Sequence, residues 1–559
     1  MHGYEAIANA LEREGVEHMF AVAAEDNMEL LVELNVNKRV GIISARKECG
    51  AAGMADGYSR ATGRPGVCTV TLGPGLTNAA TSLTTARLHQ SPVICITTEL
   101  SVLDRMGFKG GLDQRRFAEI TAGKYIAVRH SETLAEDIRL AFHHVRSGAG
   151  PVVLAVPIEI MKGELDMEWE YSPATTMALT PQRSRPDPEM IARAADILRA
   201  SERPLILAGR GAFESGAEEE IRALAQRTGA LLATTLLARG YLVDHPFNVG
   251  TAGGYASESV HSLLAECDCV VAVGCSLNLR TTELGLLFAE AQIIHIDRDP
   301  KRIGKITPVS LGIVGDARAS LGALNAELER QCFTSKGGFW HDEVKANIAA
   351  ARPTQTAYAE SPDTIDPRQL VAEMDKILPK ERIVAMDAGH FQMFVANTVS
   401  VPDPSHLLST LDFGSVGMGL FQGIGAAIGR PDRHVVVFTG DGGFMMTLEE
   451  LDTAVRKRIP MTVVIMNDNA FGVEVHMLRA QGKPVDVALY DNPDFASVAR
   501  AFGAVGLTVR NLNDLQAVAT KVGRGDRPVV VDAKVNPGVV HEVLLELLTG
   551  NLGHAGEDK

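Results

Sequence analysis

The chain has 559 residues, 46% hydrophobic and 22% charged, which is the composition of a globular protein with several domains. Its net charge of -15 argues against a nucleic-acid partner on electrostatic grounds. No apolar run is long enough to cross a bilayer, and the charged, amphipathic N-terminus fits neither a signal peptide nor a membrane span, so we expect no membrane partner.

Seven cysteines are spread along the chain, mostly in apolar runs such as VCTV and VICI. Cys267 and Cys269 form a C-x-C pair, but no second Cys/His pair follows at the spacing of a zinc site. We therefore expect buried, reduced thiols and a cytoplasmic protein.

Short apolar runs that resemble strands alternate with helical patterns along nearly the whole chain. VEHMFAV, GVCTVTL, SPVICITTE and GPVVLAVP are examples in the first third. This alternation predicts an α/β fold of parallel sheets flanked by helices. The pattern fades near 165–190 and 333–366, which we interpret as linkers. Three domains follow, at 1–165, 186–333 and 366–545.

The middle domain is predicted to be a Rossmann-like unit. RPLILAGRGAF reads as a strand that enters a glycine turn, and DCVVAVGCSL and QIIHIDRDP read as two more strands. Gly209-x-Gly211 before a helix could receive a pyrophosphate, but Glu214 occupies the third glycine position of the G-x-G-x-x-G pattern. A bound nucleotide and a purely structural domain both remain open.

The third domain contains the strongest chemical signal. HVVVFTGDGGF is an apolar strand that ends in the turn 440–443, and PMTVVIMND is the next strand, ending at Asp468. Because the carboxyl ends of adjacent parallel strands share one edge, Asp441 and Asp468 are expected to meet there. Two carboxylates beside a phosphate-binding turn favour a Mg²⁺ ion shared with a phosphate ligand. The plainer alternative is a pair of solvated loop aspartates.

GDG followed 24 residues later by Asn467-Asp468 resembles the diphosphate–metal motif of the thiamine-diphosphate (ThDP) enzymes. The resemblance implies that Mg²⁺ binds Asp441, Asp468 and the carbonyl oxygen of Ala470. The family more often has Asn at the position of Asp468. The motif also implies cofactor contacts along both segments, at Gly440, Asp441, Gly442, Gly443, Asp468, Ala470, Phe471 and Gly472.

Four further segments extend the resemblance along the chain. SARKECGAAGMADGYSRATG matches the segment of the catalytic glutamate, which holds the aminopyrimidine ring, and places Glu48 there. TLGPGLTNAATS, DAGHFQM and GSVGMGLF match the pyrimidine side, the diphosphate side and the apolar wedge that bends the cofactor. Phe391 occupies the usual His position, and Val416 is a small wedge. The cofactor contacts implied by these three segments are Pro74, Asn78, Gly389, His390, Phe391, Val416 and Met418.

The resemblance covers the whole chain and is greatest to acetolactate synthases and the related lyases and decarboxylases. It implies a pyrimidine-binding domain, a Rossmann-like middle domain and a diphosphate-binding domain. It also implies active sites shared between subunits, hence a homodimer or homotetramer, and a small-molecule carbonyl substrate. FAD in the middle domain stays open, because the G-M-x-G and R-F-D-D-R runs typical of acetolactate synthases are absent.

Three features bear on the choice of substrate. Gly111-Leu112-Asp113-Gln114 resembles the G-I-D-Q of benzaldehyde lyase, which implies that Gln114 faces the reacting carbon. Glu474 lies six residues after Asp468, where pyruvate-type decarboxylases carry a catalytic acid. The acidic segment 24–27 replaces a glycine-rich run of the family. The alternatives are an ordinary loop residue for Gln114, a helix-surface carboxylate for Glu474 and an exposed N-cap for segment 24–27.

The leading hypothesis is a ThDP- and Mg²⁺-dependent carboligase or lyase of the acetolactate-synthase type, acting on 2-oxo acids or 2-hydroxy ketones. One alternative is a non-oxidative 2-oxo acid decarboxylase, which Glu474 favours. Another is a 2-hydroxyacyl-CoA lyase or oxalyl-CoA decarboxylase type, for which Arg115 and Arg116 are the only hint. The last is a non-catalytic subunit that keeps the fold.

Overall fold

The structure is a computed structural model that describes residues 1–38, 40–100, 111–166, 168–177, 183–256, 258–351, 357–542 and 544. The residues just before the segment 111–114 and the end of the predicted third domain lie outside the described residues. None of the helices in these ranges combines the length and the hydrophobicity needed to span a bilayer.

The first sheet consists of six parallel strands in the described residues, covered by helices on both faces. Its strands are short and mostly buried, as expected for a parallel sheet covered on both faces. The strands are β1 (His18–Ala21), β2 (Gly41–Ser44), β3 (Gly66–Thr69), β4 (Val93–Glu99), β5 (Tyr125–Ala127) and β6 (Val152–Pro157); the helices are α1 (Gly3–Arg13), α2 (Met28–Val36), α3 (Glu48–Thr62), α4 (Pro74–Asn78), α5 (Ala80–His89), α6 (Gln114–Thr121), α7 (Leu134–Arg146) and α8 (Ile158–Lys162).

The second sheet also has six parallel strands and belongs to the middle of the chain. Its last helix, at 342–350, lies inside the segment that the sequence analysis interprets as a linker, and Val344 of this helix is buried against the middle-domain core. The strands are β7 (Pro204–Ala208), β8 (Leu231–Thr234), β9 (Asn248–Thr251), β10 (Cys269–Val273), β11 (Gln292–Asp297) and β12 (Leu311–Val314); the helices are α9 (Pro188–Ala200), α10 (Arg210–Glu214), α11 (Glu218–Thr228), α12 (Glu258–Ala265), α13 (Ala317–Arg330) and α14 (Asp342–Ala350).

The third sheet repeats the six-stranded parallel plan. Helices cover both of its faces, and some of them also pack on the first domain. The strands are β13 (Arg382–Met386), β14 (Leu407–Ser409), β15 (His434–Gly440), β16 (Thr462–Asn467), β17 (Val505–Val509) and β18 (Val529–Lys534); the helices are α15 (Pro367–Ile377), α16 (Phe391–Thr398), α17 (Met418–Gly429), α18 (Asp441–Met445), α19 (Glu450–Arg456), α20 (Gly472–Ala480), α21 (Phe495–Phe502) and α22 (Leu515–Ala519).

The strand orders relate the three sheets to one another. The first sheet has the order β2-β1-β3-β4-β6-β5, and the third has the same order, β14-β13-β15-β16-β18-β17. The middle sheet has the order β12-β11-β10-β7-β8-β9, which is the Rossmann arrangement. The predicted α/β fold, with a Rossmann-like domain between two other parallel sheets, is confirmed.

Helices α3 and α17 join the first and third domains through a close backbone contact. A Cβ at Gly57 would lie 2.1 Å from the carbonyl oxygen of Gln422, and one at Gly425 would lie 1.9 Å from that of Met54. Only glycine permits this approach. A buried hydrogen bond of 2.8 Å from Gln422 Nε2 to Asp56 Oδ2 crosses the same contact. The N-terminal ends of both helices therefore have fixed positions relative to each other.

Candidate active site

The predicted diphosphate turn lies where the strand order of the third sheet reverses, between β13 and β15. β15 ends at Gly440, and Asp441 begins α18. Asp441 Oδ2 accepts hydrogen bonds from the Ala470 N–H at 3.1 Å and from Asn492 Nδ2 at 2.7 Å. In parallel α/β sheets this crevice is where ligands bind. The glycine turn and the segment after β16 thus lie against each other, as the sequence predicts.

Asp468 follows β16 and completes an acidic pair with Asp441. Burial raises the pKa of Asp441 to about 6. Burial, and then the charge of Asp441, raise the pKa of Asp468 to about 7, while Arg479 acts in the opposite direction. Two carboxylates that disfavour each other's ionisation in this way are suited to share a cation.

The oxygen donors at this pair fit a Mg²⁺ ion. Among the described residues no cluster of three His, Cys, Asp or Glu side chains could hold a metal ion. The predicted set of two carboxylates and the Ala470 carbonyl would therefore need further oxygen ligands. Mg²⁺ commonly takes these from phosphates and water. The residues present fit a metal that arrives with a diphosphate.

Asp387 connects the predicted wedge segment to the diphosphate turn. This buried carboxylate accepts hydrogen bonds from the Gly417 N–H at 2.9 Å and from the Thr439 hydroxyl at 2.8 Å. Burial raises its pKa to about 6. The bonds hold Val416, which is 41% exposed, beside the turn. Met418, the first residue of α17, is buried and lies 3.4 Å from the Ser82 hydroxyl of the first domain.

Asp387 and Asn492 are two residues of this site whose roles sequence reasoning missed. Asp387 follows β13 directly, so the rule that strand ends share one edge could have placed it there. Asn492 contacts Asp441 from a loop 51 residues further along the chain. No local pattern in the sequence marks that contact.

The segment 389–391 lies against the turn, and its two aromatic side chains have different surroundings. A Cβ at Gly440 would lie 3.2 Å from the Phe391 ring, so this ring packs beside the turn. His390 Nε2 accepts a hydrogen bond from the His541 N–H at 2.9 Å, and its ring centroid lies 4.6 Å from that of His476. Burial lowers the pKa of His390 well below its usual value. His390 is therefore a neutral, buried imidazole.

Glu48 lies at the first position of α3, where the helix N-terminus favours a carboxylate. Its Oε2 accepts a hydrogen bond of 3.0 Å from Asn78 Nδ2. Asn78 is the last residue of α4, which begins at Pro74. The start of α3 and the end of α4 thus bring Glu48 and Asn78 together, and Pro74 lies one helical turn before Asn78.

The first and third domains also meet next to Glu48. Glu450 is fully buried, and its Oε1 accepts the backbone N–H groups of Arg46 at 2.8 Å and Lys47 at 3.0 Å. These bonds fix the two residues that precede Glu48 against α19 of the third domain. The position of the Glu48 backbone is therefore set by both domains.

Gln114 does not present a free amide to a substrate. The side chain is buried, its Oε1 accepts from the Gly73 N–H and its Nε2 donates to the Thr98 carbonyl oxygen, both at 2.9 Å. This differs from the expectation that Gln114 faces the reacting carbon. The reason is that both ends of its amide are bonded to the backbone.

Glu474 and His476 lie on opposite faces of α20, as their spacing predicts. Glu474 is in the first turn and exposed, whereas His476 is buried against His390. Burial lowers the pKa of His476 to about 4. In the single chain Glu474 is therefore open to water, whereas a catalytic acid usually lies in a cleft that excludes water.

The glycines of the middle domain serve backbone packing. The Gly211 N–H donates to the Gly274 carbonyl oxygen at 2.9 Å, and a Cβ at Gly209 would lie 2.2 Å from that same oxygen. The turn is therefore occupied by the neighbouring strand end. A cavity of about 1180 Å³ opens beside it. Six basic side chains line the cavity: Arg183, Arg210, Arg280, Arg298, Arg302 and Lys305.

Family models for thiamine pyrophosphate enzymes match the chain in three places. The N-terminal TPP binding domain matches residues 1–117, the central domain matches 191–324, and the C-terminal TPP binding domain matches 387–533. The matches follow the order of the three sheets.

Curated relatives match the chain over nearly its whole length. It is 31% identical to a probable acetolactate synthase large subunit of Methanocaldococcus jannaschii, over 96% of this chain and 92% of the relative. It is 29% identical to the acetolactate synthase large subunit of Corynebacterium glutamicum, over 95% and 86%. It is 27% identical to the acetolactate synthase isozyme 2 large subunit of Escherichia coli, over 98% and 100%. The chain belongs to the thiamine pyrophosphate enzyme family and is a ThDP-dependent enzyme.

Proposed function

We propose that the chain is a ThDP- and Mg²⁺-dependent carboligase of the acetolactate-synthase type that acts on 2-oxo acids or 2-hydroxy ketones. One combination of observations supports this proposal. Glu48 with its Asn78 donor and the paired Asp441 and Asp468 occur together in a chain that matches acetolactate synthases over nearly its whole length.

We propose that Glu48 exchanges a proton with ring nitrogen N1′ of bound ThDP. Its carboxylate is oriented by Asn78, and its backbone is held by α3 and by Glu450. When bound, ThDP would supply a nucleophilic carbon for addition to a carbonyl and a thiazolium ring as the acceptor of the electrons of the breaking C–C bond. Glu48 then acts as the general acid–base group of the site.

We propose that Mg²⁺ is held by Asp441, Asp468 and the Ala470 carbonyl, next to the diphosphate. The Ala470 N–H and Asn492 orient the Asp441 carboxylate. Such outer hydrogen bonds keep a metal ligand in its binding orientation. Val416, fixed through Asp387 and the Gly417 N–H, supports the thiazolium side of the cofactor.

Three alternatives have weaker support. The decarboxylase hypothesis depends on Glu474, which is exposed. The CoA hypothesis depends on Arg115 and Arg116. Arg115 lies over the Tyr125 ring and Arg116 pairs with Asp113, so both side chains already have a partner in the same domain. The hypothesis of a non-catalytic subunit requires a degraded cofactor site, whereas the hydrogen bonds of Glu48 and Asp441 are in place.

We propose that the middle-domain cavity receives a nucleotide, with FAD as the first candidate. Arg183, Arg210 and Arg302 each pair with a carboxylate. Arg280, Arg298 and Lys305 are therefore the first candidates to bind a diphosphate in this cavity. Asp297 ends β11 and lines the same cavity, where a carboxylate can accept from ribose hydroxyls. A visible spectrum of the purified protein tests for a flavin. A colourless protein that releases no nucleotide on denaturation would contradict the proposal.

We propose a homodimer as the smallest active unit, with a tetramer as a further assembly. Phe413, Val416, Met445 and Met446 are 41–49% exposed around the cofactor turn in the single chain. A second chain that covers them would remove a large apolar surface from water.

We further propose the domain bounds 1–165, 186–333 and 366–545 and a cytoplasmic location. The three sheets and the order of the family matches support the bounds. All seven cysteines lie in the described residues and none is in a disulfide, which is typical of a reducing compartment. Limited proteolysis with mass spectrometry, and fractionation of the source cells, test these two points.

One experiment tests the proposed reaction. The enzyme with ThDP and Mg²⁺ is incubated with a panel of 2-oxo acids, 2-hydroxy ketones and 2-hydroxyacyl-CoAs, and the products are identified by mass spectrometry. We expect a condensed 2-hydroxy-2-alkyl-3-oxo acid or hydroxy ketone. Release of a free aldehyde alone would favour the decarboxylase, and cleavage of the CoA thioester substrates would favour the CoA lyase.

A further inference from the structure

The first domain has a buried polar network in the crevice between β1 and β3, where its strand order reverses. In the third domain, which has the same strand order, the corresponding crevice contains Asp441 and the glycine turn. In the first domain, Asp26 follows β1 and bonds to the loop after β3, and Gln114 lies beside the ends of β3 and β4. The two residues are 5% and 7% exposed. Side-chain oxygens of this chain therefore accept the backbone N–H groups at this edge of the sheet.

The two side chains hold consecutive backbone amides. Asp26 Oδ2 accepts from the Leu72 N–H at 3.3 Å and also from the Thr98 hydroxyl. Gln114 Oε1 accepts from the Gly73 N–H at 2.9 Å, and its Nε2 donates to the Thr98 carbonyl oxygen. Both residues thereby attach the loop after β3 to the end of β4.

The loop that they hold leads directly to Glu48. Gly73 has φ +64°, a left-handed conformation that opens α4. Helix α4 is little more than one turn long, and its last residue, Asn78, donates to Glu48 Oε2 at 3.0 Å. A shift of the Gly73 turn is therefore transmitted through one rigid turn to the Glu48 carboxylate.

We propose that Asp26 and Gln114 are positioning residues that fix the loop 72–78 and, through Asn78, the Glu48 carboxylate. This inference rests on the proposed role of Glu48. It gives Asp26 the role of a hydrogen-bond acceptor and gives Gln114 a role in orienting Glu48. The second oxygen of Asp26, Oδ1, is buried and has no hydrogen-bond partner in the described part of the chain. An amide at this position would keep both bonds made by Oδ2.

The test measures hydrogen–deuterium exchange at C2 of bound ThDP, together with ThDP affinity and melting temperature. We expect Asp26→Ala and Gln114→Met to slow exchange at least about tenfold with ThDP affinity retained, because acid–base assistance depends on alignment. We expect Asp26→Asn to stay within about threefold of the wild type, since it keeps the acceptor. If Gln114→Met does not fold, Gln114→Glu keeps the acceptor for Gly73 but sets a carboxylate oxygen against the Thr98 carbonyl oxygen. It should slow exchange by a similar factor, and an unchanged rate in this variant would overturn the inference.

A matched control separates positioning from loss of stability. Tyr171→Phe removes the buried 2.6 Å hydrogen bond from the Tyr171 hydroxyl to Glu14 in the same domain, away from the loop. It should lower the melting temperature without slowing the exchange. Equal slowing in this control would overturn the inference. Slowing in Asp26→Asn as large as in Asp26→Ala would show that Asp26 acts by charge and would also overturn it.

A Glu48→Gln background completes the test. Because Asp26 and Gln114 act through Glu48, adding Gln114→Met to Glu48→Gln should produce no further slowing. Additive slowing would overturn the positioning role while leaving the proposed function intact. An exchange rate unchanged by Glu48→Gln alone would overturn the proposed role of Glu48 and this inference with it.

Discussion

At the scale of single residues, the paired carboxylates of Asp441 and Asp468 carry the metal proposal. Burial raises the pKa of both, and the charge of Asp441 raises that of Asp468 further. A bound divalent cation would lower both pKa values again, because it binds only the ionised carboxylates. The proximity that raises these pKa values is therefore also what supports the proposed Mg²⁺ site.

Substitution of the two ligands should have unequal effects. We expect Asp441→Ala to weaken Mg²⁺-dependent ThDP binding by more than about 100-fold, since outer-shell partners alone contribute about 10–100-fold. Asp468→Asn should retain binding, because an amide oxygen still binds Mg²⁺ and one buried charge is removed. Isothermal titration measures both. Loss of binding in Asp468→Asn with normal binding in Asp441→Ala would refute these ligand roles.

The raised pKa values also predict a pH dependence. In the folded, metal-free chain both carboxyls keep their protons to about pH 6–7. An unfolded Asp, by contrast, has a pKa of about 3.9. Stability should therefore fall as the pH rises from about 4 to about 7. Mg²⁺ with ThDP should raise the melting temperature strongly at about pH 8 and weakly at about pH 5. A rise of equal size at both pH values would count against the shared site.

At the scale of elements, the contact between α3 and α17 positions the first domain on the third. We expect Gly425→Ala to destabilise the protein by about 1–3 kcal/mol, because its Cβ would collide with the Met54 carbonyl oxygen. Gly322→Ala in α13 is a matched control, since the nearest atom to its Cβ is a flexible Glu220 side chain at 3.9 Å. Scanning calorimetry compares the two. Equal melting temperatures would contradict the close-contact account.

Some contacts between these elements could be predicted from the sequence and others could not. Apolar strands and the rule that strand ends share an edge were sufficient to bring Asp441 and Asp468 together. The orientation of Gln114 could not be predicted, because a sequence resemblance does not show which way a side chain points. In the structure its amide is hydrogen-bonded at both ends to the backbone of Gly73 and Thr98. Asn492 illustrates another, since its contact with Asp441 depends on how a distant loop folds back.

At the scale of the whole molecule, the proposed assembly can be tested with two defective chains. Glu48→Gln damages the pyrimidine half of a site, and Asp441→Ala damages the diphosphate half. If each site combines halves from two subunits, mixed dimers contain one intact site and regain activity. If both halves come from one chain, mixing restores nothing. Activity after co-refolding or co-expression of the two variants measures this directly.

Glu48 is proposed to be the acid–base group of a ThDP site, and the rate of proton exchange at C2 of the bound cofactor depends on that role. Glu48→Gln preserves the shape of the side chain and the contact with Asn78, so ThDP and Mg²⁺ should still bind. We expect C2 exchange in Glu48→Gln to be slower than in the wild type by on the order of 10²-fold or more, the size expected for lost acid–base assistance. Exchange at the wild-type rate, with cofactor bound, would contradict the account.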